Sequence, residues 1–211
     1  MKKYELTSET KVINGVKLHR IKALESFGRV EKGELGGWIE SEKNLSQDGD
    51  AWVGGNSKVC ENAWVGYNAR VDRDATVRGN ATVSGNAKVR GNATIDDYAK
   101  VYDNAIVSGD AIVSGNATIS GNATISGDAV VYGNAIVSGK EDYIVFKNWW
   151  SSGRYFTWTR SNNKWRVGCF YGSGEELIAK AYKDSEKSGR EYERVVKYVE
   201  SILKEDNDNG N

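Results

Sequence analysis

The side chains able to do covalent or proton-transfer chemistry are few and scattered. The single histidine, His19, sits between Leu18 and Arg20. Strand alternation puts it on the face opposite Leu18, the solvent side. A lone histidine can act as a general base, but it cannot supply the ligand set of a zinc centre. Cys60 and Cys169 stand far apart, so neither a disulfide framework nor a zinc knuckle is indicated. Glu61, Asp72, Asp96 and Asp97 are scattered coil carboxylates of the kind that water ordinarily covers. No Ser-His-Asp set, phosphate loop or Cys-His pair is legible. The expectation is no catalytic residue, no metal and no cofactor.

Binding chemistry is better represented. Between Lys140 and Tyr171 the basic side chains Lys140, Lys147, Arg154, Arg160, Lys164 and Arg166 outnumber the acidic Glu141 and Asp142, and Trp149, Trp150, Tyr155, Trp158 and Trp165 interleave with them. Aromatic rings among cations suit stacking on a single-stranded nucleic acid or another anionic ligand. Alternation, however, assigns Phe156, Trp158, Trp165 and Val167 to a local core. The segment "NWWSSGR" differs, because adjacent Trp149 and Trp150 cannot both point inward from a strand. Trp149, Trp150, Arg154 and Tyr155 are therefore candidate contacts with the rest of the chain, a second subunit or a target.

The elements that position these residues follow from a repeat. From Ala51 to Lys140 the chain divides into fifteen sixes without insertion: AWVGGN, SKVCEN, AWVGYN and so on to AIVSGK. A fixed period governs the reading of everything else. Within each six, Ala-x-Val alternates in, out, in, as a strand does, and Gly-Asn or Gly-Asp supplies corner residues tolerant of positive φ. Three sixes make one triangular coil, and fifteen make five. Val53, Val71, Val89, Val107 and Ile125 should stack inside, with Asn ladders at the corners. The outward position after each small residue carries Trp, Lys, Arg or Thr early in the repeat. Late in the repeat it becomes Ile106, Ile112, Val130 and Ile136, with Tyr132 two residues beyond Val130. Residues eighteen apart share a face, so Ile112 and Val130 should stack, and a contiguous outward apolar patch marks a contact, either with the C-terminal segment folded back or with a partner.

"VGGNSK" and its successors resemble the hexapeptide repeat of left-handed parallel β-helix proteins. The resemblance implies a mainly β fold, a left-handed parallel β-helix of about five 18-residue coils. Many members of that family are acyltransferases that use a histidine base, a loop ejected from a coil, and trimerisation. Here His19 lies outside the coils and the fifteen sixes contain no loop. The longer arrangement, "GELGGWIESEKNLSQDGDAWV" followed by uninterrupted "YGNAIVSG" coils and "DYIVFKNWWSSGRYFTWTR", is similar to phage and prophage proteins labelled transferases for their hexapeptides. That group carries no established activity, so the resemblance implies context rather than chemistry.

Residues 1–50 read as a hairpin, with the turn at Asn14-Gly15, and a solenoid cap in which Trp38, Trp52 and Trp64 cover the first apolar layer. Ile39 and Leu45 are six apart, but Leu45 and Val53 are eight apart, so the frame slips by two before the regular coils. Residues 141–204 read as an antiparallel α+β module: strands in "DYIVFKN", "RYFTWTR" and "KWRVGCFYG", then two helices with capping boxes at Ser173–Glu176 and Ser188–Glu191. Residues 205–211 are expected to be disordered. Basic and acidic side chains balance at 29 each, which argues against a strongly basic nucleic-acid binder. There is no membrane-length apolar run and no signal-like start, so the expectation is a cytoplasmic protein. Its expected role is a non-enzymatic, phage-type accessory protein, oligomeric or not, that recognises a bacterial host protein and inhibits or redirects it. Acyl transfer and nucleic-acid binding are the alternatives.

Overall fold

The computed structural model describes residues 2–209. Its middle is a β-solenoid. Strands of two residues recur every six positions from β4 (Trp52–Val53) to β18 (Ile136–Val137), and each pairs in parallel with the strand eighteen residues on: Val53 with Val71, Val71 with Val89, Val89 with Val107, Val107 with Ile125. Every third strand shares a sheet, which gives three parallel walls. The Val or Ile at the third position of each six points inward and is buried, as is the Ala (Ser57 in the second six) at the first position. Each such aliphatic side chain contributes roughly 1.5–3 kcal/mol by leaving water.

The corners need positive φ, which Gly55, Gly79, Gly85 and their successors supply. Where Glu61, Asp97 or Asp103 takes that place, its carboxylate accepts the backbone N–H of Gly79, Gly115 or Gly121 in the next coil at 2.8–3.0 Å. This bond between coils offsets the cost of a left-handed backbone. Beside the corners, amide ladders run Asn68–Asn86–Asn104–Asn122 and Asn62–Asn80, with Asn92 donating to Asp110.

The first end extends the walls. β1 (Tyr4–Ile13) and β2 (Val16–Ala23) form the expected hairpin, with Asn14 and Gly15 both at positive φ. β2 then pairs with β3 (Leu35–Ile39), and β3 lies parallel on the Lys58–Val59 strand. Ile39 sits beneath Val59 and Leu45 beneath Val65, each twenty residues earlier rather than eighteen. The slip of two is thus absorbed in an irregular coil, and the solenoid has about six turns. Buried Lys3 donates to the carbonyls of Gly49 and Ala51 at 2.9 Å, and Asn44 Nδ2 donates to Glu61 and Ala63. Trp52 is buried against Phe27, and Trp38 is nearly buried beneath Lys11 and Arg20. Trp64 departs from the covering role and stays partly exposed.

The last end is a separate antiparallel sheet of β19 (Tyr143–Lys147), β20 (Tyr155–Thr159), β21 (Lys164–Val167) and β22 (Phe170–Gly172). By sequence "KWRVGCFYG" reads as one strand. It is two, because Gly168 at φ 55° turns the chain and pairs Val167 with Phe170. One face of the sheet meets the solenoid through Tyr143 and Val145. The other holds Ile144, Phe146, Phe156, Trp158 and Trp165 against α1 (Gly174–Asp184) and α2 (Glu186–Asn209). Ser173 caps α1 with Glu176, as its sequence implies. The second cap is corrected: α2 begins at Glu186, two residues before the expected box, and Ser185 Oγ accepts the N–H of Ser188. The expected disordered tail is also corrected, since α2 runs to Asn209 and Asp206 pairs with Arg160 at 2.8 Å. Residues 210 and 211 lie outside the described residues.

Candidate functional site

The candidate site is the loop between β19 and β20 with the strand ends that flank it. Its anchor is Asn148, a buried polar residue in an exposed connection. Asn148 Nδ2 donates to Ser151 Oγ at 2.9 Å, Ser152 Oγ at 3.3 Å and Tyr192 Oη at 3.2 Å. Its Oδ1 accepts the N–H of Ser151 at 2.9 Å, and its own N–H reaches the carbonyl of Arg154. A satisfied buried network of this kind fixes a single conformation. The loop therefore resolves the Trp149-Trp150 conflict in one way. Trp150 turns in, edge-on to Tyr192 with centroids 5.3 Å apart and to Phe156 at 6.2 Å. Trp149 turns out and is 78% exposed.

Around Trp149 the strand ends add charge and further aromatic surface. Lys147 and Tyr155 are cross-strand partners, with the Lys147 ammonium 5.4 Å from the centre of the Tyr155 ring. Arg154 is exposed beside them. Below the loop is a cleft of about 370 Å³ whose lining includes Ser151, Ser152, Arg154, Lys180, Asp184 and Ser188. The basic stretch read from sequence is partly spent inside the molecule. Arg160 holds the carbonyl of Glu141 and the carboxylate of Asp206, while Arg166 lies 4.6 Å from the Tyr132 ring centre.

The outward aliphatic row is not one patch. Ile112 stacks on Val130 in one wall, Ile106 lies in the second wall beside Thr124, and Ile136 lies in the third beside Thr118. The C-terminal module covers the edge of the last coil rather than this row. Thr157 Oγ1 accepts the N–H of Val130 at 2.9 Å, Ser161 Oγ accepts that of Ile136 at 2.7 Å, and Tyr143 Oη donates to the carbonyl of Thr124. Tyr132 packs edge-on to Tyr171 with centroids 5.1 Å apart. Val130 and Tyr132 thus belong to the contact within the chain, and Ile112 and Ile136 remain exposed. Alternation in "YIVFK" and "YFTWT" carried this signal: Thr157 had to face away from Phe156 and Trp158, toward the coils.

The reactive side chains are dispersed. His19 is partly buried opposite Thr10 and Ile39. Burial, followed by the charges of Glu61 and Glu40, pushes the Cys60 thiol up to about 11, which leaves it protonated and a weak nucleophile. Among the described residues no group of three or more His, Cys, Asp or Glu side chains could hold a metal ion. No helix among them is long and apolar enough to cross a membrane.

A family model described as the YdcK beta solenoid repeat matches residues 99–115, 113–127 and 117–133. No curated protein matches the chain. The matched segments all lie in the coils, so the chain is similar to that family in its solenoid and the likeness reaches neither end.

Proposed function

We propose that this protein is a non-enzymatic recognition scaffold: a solenoid spacer that holds out the C-terminal module to bind a partner protein through Trp149. The carrying observation is the exposure of Trp149 on a loop pinned by buried Asn148. A side chain carried on an already ordered loop costs less entropy on binding than one on a mobile segment, and Trp, Tyr and Arg dominate interface hot spots. Arg154 and Tyr155 complete the same surface. The phage-type resemblance gives the context: an accessory protein in the bacterial cytosol that blocks or redirects a host protein, a defence system among the candidates. This step is analogy from sequence rather than site chemistry.

A nucleic-acid reading draws on Lys147, Arg154 and the two exposed rings, but Arg160 and Arg166 are engaged within the chain. An acyltransferase reading would need a base near an acceptor pocket. The test is affinity capture from bacterial lysate with nuclease present, comparing wild type, Trp149→Ala and Ile112→Lys. A stoichiometric protein band lost only with Trp149→Ala supports the proposal. A bound fraction removed by nuclease supports the nucleic-acid reading. Equal capture by all three proteins sinks the assignment to Trp149.

A further inference from the structure

At the opposite end of the solenoid, Trp64 and Tyr67 form a second aromatic site, independent of the Trp149 loop. Trp64 occupies an outward strand position, and its ring lies across Gly66 so closely that no Cβ could be accommodated there. One face of the indole is thereby held against the coil. Tyr67 rises beside it at an interplanar angle of 87°, with ring centres 6.0 Å apart. The two rings make a floor and a wall. With Ser46, Asp48, Gly49 and Asn68 they line a hollow of about 290 Å³.

Two features set this hollow apart from the repeat. Tyr67 stands at a corner with φ 57°, where the other left-handed corners of the repeat carry glycine, an acidic residue or, in the next six, Arg73, so it is the one aromatic ring at such a corner among the described residues. Glu61, Asp97 and Asp103 regain the cost through bonds to the next coil. Tyr67 instead puts its ring 65% into solvent. A bulky residue in the left-handed region costs energy, and such positions cluster at functional sites. The lining also contains a carboxylate and no cation. No ion pair among the described residues engages Asp48. The ammonium of Lys3, on the buried side of the same loop, is committed to the carbonyls of Asp48, Gly49 and Ala51.

We infer that this hollow binds a quaternary ammonium group. Perpendicular rings present π-faces and an unpaired carboxylate adds charge, the arrangement that recognises alkylated ammonium ions within about 6 Å of the ring centres. A tetrahedral trimethylammonium head sheds water readily and fits the small volume. Asp48 gives the site its preference for charge over shape.

The test is calorimetric titration of the full chain with choline and with its neutral isostere 3,3-dimethylbutan-1-ol. Choline should bind saturably and at least about tenfold more tightly than the isostere. Tyr67→Gly, which restores the glycine of the repeat, should melt no lower than wild type yet lose choline binding. Asp48→Asn should weaken choline several-fold and leave the isostere unchanged. Equal affinity for choline and the isostere would overturn the inference, because the hollow would then be merely apolar. So would failure of choline to saturate at millimolar concentration, saturable binding of methyl glucoside in its place, or choline binding that survives Tyr67→Gly.

Discussion

The two ends of the solenoid face the same problem and solve it differently. A stack of coils leaves one row of unpaired backbone groups and one apolar layer at each end. At the first end the ladder is continued in backbone: Trp38, Glu40 and Ser46 donate their N–H groups to Ser57, Val59 and Val65. Tyr4, Ile21, Ile39 and Leu45 join the same core as the coils. At the last end the ladder stops. Hydroxyls of Thr157 and Ser161 and the carboxylate of Asp142 take the orphaned N–H groups of Val130, Ile136 and Ser138. Behind them the module has its own core around Phe156, Trp158 and Trp165. The first end is a cap fused to the solenoid. The last end is a docked domain, which is where a binding surface can vary without unwinding the coils.

The largest expected effects lie where the core is shared. Trp52→Ala at the first end should cost about 3–5 kcal/mol, and Val89→Asp, placing an unpaired charge among the inner valines, should cost several kcal/mol. Both should abolish the single cooperative melt followed by circular dichroism. Thr82→Asp, on the outward side, should melt close to wild type. Equal damage from Val89→Asp and Thr82→Asp would contradict the in-and-out assignment.

At the last end, Thr157→Val removes the acceptor for Val130. An orphaned N–H costs about 1–3 kcal/mol, but here the loss should fall on docking. Limited proteolysis should release residues 141–211 faster while the coils keep their melting temperature. A coil melt lowered by the same amount as in Trp52→Ala would erase the distinction between the ends.

A smaller effect separates the ends by pH. Burial holds the Lys3 ammonium down at about 8 against the attraction of Asp50, Asp48 and Glu25, whereas the unfolded chain keeps that proton to about pH 10.4. Between those values the unfolded state binds more protons, so stability rises with pH; the gain is complete above the unfolded value and lost as pH falls through about 8. Tyr4, pushed up by burial and by Glu42, acts oppositely above about pH 10, because the folded state then keeps a proton that the unfolded state loses. The Cys60 thiol, pushed up to about 11, also acts oppositely from about pH 8.5, so denaturant midpoints should rise from about pH 8 to 9, level off, and fall above about pH 10. Lys3→Met should flatten the rising limb, whereas Thr157→Val should leave it intact. A rising limb unchanged in Lys3→Met would remove Lys3 as its source.

How much of this was legible depended on period. The sixes dictate the coils, their register and the inward valines, since an eighteen-residue spacing leaves no other pairing. Asn14-Gly15 dictated the first hairpin, and alternation placed Phe156, Trp158 and Trp165 in the module core. The turn at Gly168 is not legible, because a glycine within an apolar run reads equally as strand or turn. The cap at Ser185 is masked by Ser188, which carries the stronger local pattern. In the outward row the eighteen-residue spacing makes Ile112 and Val130 neighbours, and their parallel pairing bears that out; Ile106 and Ile136 fall on the other two walls. Which of Trp149 and Trp150 turns outward depends on Tyr192, more than forty residues away, and no local pattern carries that. The split between a fused cap and a docked module is likewise a matter of which core each side chain joins.

That split is tested most directly by native-state hydrogen exchange at single amides. The account predicts that Trp38, Glu40 and Ser46 exchange as slowly as Ile112 and Thr118 within the coils. Val130 and Ile136 should exchange faster, through undocking of residues 141–209 without unfolding of the coils, and Thr157→Val should accelerate Val130 further. Protection of Val130 and Ile136 equal to that of Ile112 and Thr118, in wild type and variant alike, would show one cooperative unit and contradict it.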